Sequence, residues 1–252
     1  MAFLGCVAAL VLAWGANAKP QTEESAKPAT EKETRSNQPS EEQDRSPVDV
    51  ALSPDGSWLV TANETSDSVS LVDVRAQKVL AEIPVEDHPS FITLCPDGHT
   101  ALVSCGYAGK IVVLNVADGQ LERLGTIPVG FDPCGIAVAP KGNSAFIGLT
   151  ATGEVAEVNW KSFEVVRKFE VGAWPRYLAL SPDGKRLMVG IAGESKVVTF
   201  DVTTGKPLHE NPMTGAINFG HIQSSSDGQY AYVPWMVYRS NPISVRNIRL
   251  GW

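Results

Sequence analysis

Ionisable and aromatic side chains recur around four prolines and one phenylalanine, Pro47, Pro89, Pro133, Pro175 and Phe219, which follow one another at intervals of 42 to 44 residues. A mixture of carboxylate, imidazole, guanidinium and aromatic groups is the composition expected of a recognition surface. The pattern predicts a binding site, although solvent-facing loops without a ligand have a similar composition. The predicted binding residues are Glu64, His88, Phe91, Asp132, Trp174, Arg176, Tyr177 and His221.

Metal, haem and nucleophilic chemistry find little support in the spacing of the residues. His88 and His221 are far apart in the chain, and no short His, Cys or carboxylate spacing indicates zinc or copper. Asn63 and Glu64 form the only nearby amide and carboxylate pair for calcium. The sequence has no Cys-x-x-Cys-His haem motif, no Gly-x-Ser-x-Gly motif and no glycine-rich phosphate loop. We therefore predict no catalytic residue, no metal site and no cofactor in this chain, and leave enzyme activity open.

The segments that carry the candidate residues belong to a repeat marked by a Pro-Asp-Gly type of turn. Proline presets φ in such a turn, and glycine supplies the positive φ that closes a hairpin. Four β-rich runs accompany each complete turn, so the repeat predicts an all-β protein, a β-propeller of four-stranded antiparallel blades. The turn glycines are Gly56, Gly98, Gly142, Gly184 and Gly228.

The blades are predicted to begin near residues 47, 89, 133 and 175, with a partial fifth copy over 219–252. A propeller closes its ring so that no sheet edge is left bare, so either four blades close alone or the chain is part of a larger ring. The segment 235–252 breaks the repeat and is rich in Trp, Tyr and Arg. We therefore predict four repeats plus a partial fifth in an incomplete ring, the N-terminal part of a longer protein. The insertion is interpreted either as a functional loop or as an ordinary excursion between strands.

The pattern Pro-x-x-(apolar)-Ala-(apolar)-Ser-Pro-Asp-Gly, followed by a Val-rich strand that ends in Asp, resembles the YVTN family of bacterial and archaeal β-propellers. The resemblance covers residues 47 to about 233 and is specific for the fold. Leu59-Val60-Thr61-Ala62-Asn63 is the segment nearest to Tyr-Val-Thr-Asn, and a Gly-His…Trp-Asp pattern is absent. The family includes surface-layer proteins, lactonase-like enzymes, dehydrogenase subunits and modules fused to c-type cytochromes.

The N-terminal part of the chain indicates export. Residues 1–18 are apolar and uncharged and end in Ala16-Asn17-Ala18, which predicts a cleaved signal peptide. Residues 19–46 contain no apolar side chain larger than alanine and are predicted to be a disordered acidic linker. The propeller domain is then 47–252, located in the periplasm, at the cell surface or outside the cell, with no transmembrane span after cleavage. A net charge of -7 without basic clusters argues against nucleic acid as a partner.

Three cysteines follow the predicted leader, in a compartment that permits disulfides. Cys95 lies in a turn at the hairpin end of its blade, whereas Cys105 ends one strand and Cys134 opens the inner strand of the next blade. The last two are thus expected at the same rim of neighbouring blades. Cys105 and Cys134 are the candidate disulfide, and free thiols are the alternative.

These observations favour an exported interaction module that binds another protein, or another domain of its own polypeptide. The family resemblance implies a c-type cytochrome or other redox domain, with haem c, in a part of the protein beyond Trp252. One alternative is a propeller enzyme acting at the channel mouth, either lactonase-like with calcium or of the dehydrogenase-subunit type. A further alternative is a surface-layer or adhesion repeat protein. The sequence predicts no oligomeric state.

Overall fold

The computed structural model describes residues 44–237. The predicted leader, most of the predicted linker and residues 238–252 of the insertion lie outside the described residues. Residues 44–237 form four antiparallel sheets of four strands each, followed by two short two-stranded pairs from the fifth repeat. This is the predicted fold class, a β-propeller with four blades plus a partial one.

Each sheet is a meander in which the strands pair in chain order. Sheet 1 consists of β1 (Pro47–Leu52), β2 (Trp58–Asn63), β3 (Ser68–Asp73) and β4 (Lys78–Pro84). Sheet 2 consists of β5 (Pro89–Leu94), β6 (Thr100–Cys105), β7 (Lys110–Ala117) and β8 (Gln120–Pro128). Sheet 3 consists of β9 (Pro133–Val138), β10 (Ser144–Leu149), β11 (Glu154–Asn159) and β12 (Glu164–Glu170). Sheet 4 consists of β13 (Pro175–Leu180), β14 (Arg186–Ile191), β15 (Lys196–Asp201) and β16 (Pro207–Pro212), with a 3-10 turn at Ala192–Glu194.

The fifth repeat contributes shorter strands. These are β17 (Ala216–Phe219), β18 (Gln223–Ser224), β19 (Ala231–Tyr232) and β20 (Trp235–Val237). β17 pairs with β20, and β18 pairs with β19. The pairing of Phe219 with Trp235 matches that of Pro47 with Asn63 in sheet 1, so the fifth repeat keeps the same register at this end.

The hairpin between the first two strands of each sheet is fixed by the turn residues. In sheet 1 the Ser53 hydroxyl donates to Asp55 Oδ1 at 2.7 Å and accepts the Trp58 N–H at 3.1 Å. Gly56 closes the turn with a φ of 70° and donates its N–H to Ser53 O at 2.9 Å. The hydroxyl and N–H donors lower the pKa of Asp55. The same serine and aspartate contact recurs at Ser181–Asp183 and Ser225–Asp227.

The sheets pack face to face, because each meander buries apolar side chains on both faces. Three separate apolar clusters fill the spaces between sheets 1 and 2, sheets 2 and 3, and sheets 3 and 4. Burying one large side chain of this kind contributes about 1.5–3 kcal/mol. The largest fully buried members include Leu71, Leu114, Ile127, Ile147, Phe146 and Leu187.

Sheet 1 differs from the other sheets on the face that turns away from sheet 2. Thr61 and Ser70 lie there as neighbouring partners, where sheets 2 to 4 have aliphatic pairs such as Val103 with Val112. Asn63 Nδ2 donates to the hydroxyls of Ser68 at 3.0 Å and Ser70 at 2.8 Å. This face of sheet 1 is therefore held by hydrogen bonds where the other three have an apolar contact.

The innermost strands β1, β5, β9 and β13 pack against one another around the channel. Each contains an irregularity at its second residue, so that two residues of the inner strand oppose one residue of its partner. Such a β-bulge bends the strand and changes the direction of the following side chain. The residues at the bulges are Val48, Ser90, Cys134 and Arg176.

Candidate functional site

The channel is lined by the third residue of each repeat, counted from the proline or from Phe219. These residues and the neighbouring inner-strand positions enclose a cavity of about 330 Å³. This volume lies at the lower end of the range for small-molecule sites in proteins. The five equivalent residues are Asp49, Phe91, Gly135, Tyr177 and His221.

Three aromatic rings meet in this channel from the second, fourth and fifth repeats. The ring centroids of Phe91 and Tyr177 are 5.3 Å apart, at an interplanar angle of 71°. His221 lies 5.3 Å from the Tyr177 ring and 5.8 Å from the Phe91 ring. Edge-to-face contacts of this kind are favourable, because the positive edge of one ring meets the negative face of the next. The sequence therefore brings together three predicted binding residues that are up to 130 positions apart in the chain.

Asp49 connects three parts of the channel wall. Its Oδ2 accepts the N–H of Ile92 in β5 at 2.9 Å, and its Oδ1 accepts the Val50 N–H at 2.9 Å. The same Oδ1 lies 3.3 Å from His221 Nε2. This hydrogen bond raises the pKa of His221 above the usual range of a histidine, against the smaller opposing effect of burial. The Asp49 side chain is only 9% exposed, whereas that of His221 is 68% exposed, so the accessible group is the imidazole.

The residue before each inner-strand proline adopts a left-handed conformation. Ser46, His88, Asp132 and Trp174 have φ between 43° and 61°. The carbonyl oxygen of each accepts an N–H from the residue that follows the second strand of the same sheet, at 2.9 to 3.1 Å. Non-glycine residues rarely adopt this conformation, so the repeated hydrogen bond holds the rim backbone in place. Three predicted binding residues, His88, Asp132 and Trp174, owe their position at the rim to this arrangement.

His88 and Glu64 meet at this rim. His88 Nε2 lies 3.1 Å from Glu64 Oε1, and the imidazole stacks on Tyr107 at a centroid distance of 4.1 Å and an angle of 8°. The His88 N–H donates to Asp67 Oδ1 at 2.8 Å. His88, held by Glu64 and Asp67, thus gives the Tyr107 ring a stacking partner on one face.

Three large aromatic side chains are exposed at the same rim. Tyr107 is 65% exposed, Phe131 59% and Trp174 60%. The loop that carries Trp174 is held by Glu194, whose Oε1 accepts the Ala173 N–H at 2.9 Å. Exposed aromatic residues on a hydrogen-bonded backbone present a large contact area without much loss of conformational freedom on binding.

Arg176 carries a buried donor without a hydrogen-bond partner. Its Nε is inaccessible to solvent and makes no hydrogen bond, and Arg176 forms no ion pair with the carboxylates of residues 44–237. Arg176 precedes Tyr177 in β13, and its positive charge acts on the Tyr177 hydroxyl, whose pKa burial raises. A buried donor that lacks an acceptor is uncommon in folded proteins and calls for an explanation.

The eight predicted binding residues thus fall into separate groups. Phe91, Tyr177 and His221 meet in the channel, whereas Arg176 precedes Tyr177 in β13 and does not line the cavity. Glu64 and His88 pair at the rim, where Asp132 and Trp174 occupy the next two repeats. Asp49 was not among the predicted binding residues, although it lies as close to its repeat proline as Phe91 and Tyr177 do. Its signal is its place two residues after Pro47, the position that Phe91, Tyr177 and His221 hold in their repeats.

Asn63 and Glu64, the amide and carboxylate pair suggested for calcium, contact different side chains. Asn63 is bonded to Ser68 and Ser70, whereas Glu64 faces His88. Within residues 44–237 no three His, Cys, Asp or Glu side chains are grouped closely enough to hold a metal ion. The two side chains therefore do not fit a shared calcium site.

Cys105 and Cys134 do not form the predicted disulfide. Both cysteines are buried as free thiols, as is Cys95. The reason is the direction of the side chains: Cys105 packs into the cluster between sheets 1 and 2. Its neighbour Ser104 faces the other way and donates to Cys134 O at 2.6 Å. Successive strand residues point to opposite faces, so Cys105 is directed away from Cys134.

We expect all three cysteines to remain reduced and to react slowly in the folded protein. Burial raises the pKa of Cys95 and of Cys105 to about 12, which leaves almost no thiolate at neutral pH. Iodoacetamide followed by mass spectrometry should label these thiols only after denaturation, without prior reduction. Recovery of a linked Cys105–Cys134 peptide from the unreduced protein would contradict this prediction.

The sheets, their order and the central channel define a β-propeller. No helix within residues 44–237 is long and apolar enough to cross a membrane. No family model matches the chain. The YVTN resemblance therefore stays a prediction, as does the signal peptide.

The comparisons with known proteins agree on the propeller fold. The chain is 28% identical over 151 residues to the uncharacterized protein YncE of Salmonella typhi, and equally to that of Salmonella typhimurium. The match covers 58% of this chain and 42% of each relative, so the chain spans less than half the length of these curated relatives. Among solved structures, a chain of Kuenenia stuttgartiensis hydrazine synthase is similar with a TM-score of 0.72 and 25% identity. That match covers 86% of this chain and 62% of the hydrazine synthase chain.

Proposed function

We propose that this chain is an exported β-propeller module that binds another protein, or another domain of its own polypeptide, through the rim where the inner strands begin. The observation that carries the proposal is the exposure of Tyr107, Phe131 and Trp174 on three connections of this one rim. Soluble monomers rarely expose several large aromatic side chains together unless they bind a partner. The hydrogen bonds of the left-handed rim residues support rigid presentation of this surface.

The specific partner that we propose is a c-type cytochrome or other redox domain. Support comes from the structural similarity to a chain of hydrazine synthase, which its name identifies as an enzyme. The propeller would then serve as a docking component beside the catalytic part. This chain also spans only part of each relative that it matches, which is compatible with further domains in the whole protein.

The rim can be tested by site-specific photocrosslinking in the producing organism. A photoreactive residue at Trp174 should give a discrete adduct, and one at Val166, a comparably exposed apolar position on β12, should give none. Mass spectrometry of the adduct then identifies the partner. In the purified pair, Trp174→Ser should weaken binding about 30-fold, as expected for the loss of a central aromatic contact.

The control variant is Val166→Ser, for which we expect unchanged affinity. Equal crosslinking from both positions, or a Trp174→Ser affinity within about twofold of the unmodified protein, would refute the rim as the binding surface. A partner without haem or another redox group would refute the proposed redox role while leaving the interaction itself in place.

A further inference from the structure

The channel has an apolar wall that no described side chain covers. Val50 and Leu52 are 55% and 57% exposed, and both line the cavity of about 330 Å³. Leu94 and Ile136 line it as well, and the Phe91 and Tyr177 rings stand nearby. Apolar side chains are usually buried in a protein interior, so an exposed apolar wall within a concave site favours a ligand with an apolar body.

The polar group at this cavity is the imidazole of His221. Its Nε2 is occupied by Asp49, so the remaining ring nitrogen, Nδ1, is the one that can bind a ligand. The Asp49 carboxylate is turned into the wall, where the Ile92 and Val50 N–H groups also bind it. The charge that reaches the solvent is therefore the positive charge of the protonated imidazole.

A second positive charge lies next to the aromatic rings. Arg176 precedes Tyr177, has no carboxylate partner among residues 44–237, and keeps a buried Nε without an acceptor. Arg176 does not line the cavity, so it would act on a bound ligand through its charge rather than through a direct hydrogen bond. The lining carboxylate of Asp49 is already bonded to Ile92, Val50 and His221, so the exposed imidazole favours an anionic head group.

We propose that the channel binds a small organic carboxylate, with its apolar or aromatic body against Val50, Leu52 and Phe91 and its carboxylate at His221. Arg176 adds attraction from the side of β13. This site is separate from the exposed rim surface formed by Tyr107, Phe131 and Trp174, and its ligand is a small molecule. The role of the rim in protein binding can therefore fail without affecting this proposal.

Benzoate is a suitable probe, with two matched molecules that each lack one feature. Isothermal titration of the purified chain with benzoate should give saturable binding with a Kd of about 1 mM or tighter. Benzamide has nearly the same shape without the charge, and acetate has the charge without the body. We expect both to bind at least about 10-fold more weakly, because each loses one of the two kinds of contact.

Substitutions at His221 and Arg176 test whether benzoate binds in the channel. His221→Gln removes the charge and should weaken benzoate binding at least about 10-fold, and Arg176→Gln should weaken it about threefold. His99→Gln is the matched control, since His99 also lies beside an aspartate, Asp97, but sits at a hairpin turn outside the cavity. We expect no change in this control. Melting curves of each variant show whether the fold is retained.

The pH dependence gives a readout that does not rely on a variant. The groups that face His221 are Asp49 from β1 and the Tyr177 ring from β13, with Arg176 next to it. Benzoate binding should therefore weaken as the pH rises and the imidazole loses its proton. Equal binding of benzoate and benzamide, unchanged affinity in His221→Gln, or no saturable binding of benzoate at all would overturn the proposal.

Discussion

Replacing Gly135 by alanine is expected to destabilise the propeller by about 3 kcal/mol or more, at the upper end of the costs of overpacking. A Cβ at this position would lie 2.2 Å from the carbonyl oxygen of Arg176 and 3.2 Å from Tyr177 Cα. These are backbone atoms of the neighbouring inner strand and cannot rotate away. The contact between β9 and β13 would have to open, and both strands form the channel wall.

The measurement is the free energy of unfolding in urea, with the melting temperature as a second readout. For a domain of this size the expected loss corresponds to a decrease of about 6 to 12 °C. Gly148→Ala is a second variant of the same kind, since its Cβ would lie 2.6 Å from Pro175 O.

Gly142→Ala separates the steric effect from the effect of backbone conformation. Gly142 has a φ of 83° and open space around its Cβ position, so only the left-handed strain applies. That strain costs about 1–2 kcal/mol. If Gly135→Ala lowers the free energy of unfolding no more than Gly142→Ala does, β9 and β13 do not approach each other as closely as described.

The sequence predicted the blades because their boundaries are encoded locally. A proline at the first strand position and a Ser-Pro-Asp-Gly turn fix φ and the hairpin within a few residues, without any distant contact. The strands β1, β5, β9 and β13 accordingly begin at the four prolines. Ser226 in place of proline in the fifth turn still allows Gly228 to adopt a φ of 69°.

The arrangement of the channel depends on features that local sequence does not contain. The bulge at the second residue of each inner strand determines which side chains enter the channel. Residue types such as Val48 and Ser90 do not predict a bulge. The 3.3 Å contact of Asp49 with His221 depends on how the sheets curve from the first repeat to the fifth. The predicted disulfide is absent for a related reason. Cys105 and Cys134 lie at the same rim, but the Cys105 side chain points into the cluster between sheets 1 and 2, away from Cys134.

The channel and the rim depend on the same residues of the inner strands. The left-handed residue before each proline directs its side chain to the rim, and the bulge after the proline directs the third residue into the channel. The same backbone conformation around each proline therefore forms two surfaces with different chemistry, the rim and the channel. It follows that a substitution at an inner-strand proline should affect both surfaces, whereas Trp174 and His221 can be varied separately.

Asp49→Ala is expected to cost about 1–3 kcal/mol of stability, because it leaves the partly buried Ile92 N–H without an acceptor and removes the carboxylate that faces His221. The Ile92 N–H of the neighbouring sheet and the Val50 N–H both lose their partner, and His221 loses its carboxylate. The control is Asp87→Ala, an exposed aspartate in the loop between sheets 1 and 2, for which we expect a change within about 0.5 kcal/mol. A cost for Asp49→Ala as small as that of the control would show that Asp49 does not connect the channel wall.

The stability difference between the unmodified protein and Asp49→Ala, measured as a function of pH, separates the contribution of His221 from that of the two N–H groups. The folded pKa of His221 is raised above 6.5, so the folded protein holds this proton more tightly than the unfolded chain. The stabilisation from the Asp49–His221 pair is therefore complete below pH 6.5 and is lost as the pH rises through the folded pKa. The contribution of the two N–H groups does not titrate in this range.

The difference in unfolding free energy between the unmodified protein and Asp49→Ala should thus shrink with rising pH to a constant remainder. In a His221→Gln background this difference should not change with pH. An increase of the difference with rising pH would contradict the assigned ion pair, because the pair can only lose stabilising charge as His221 deprotonates.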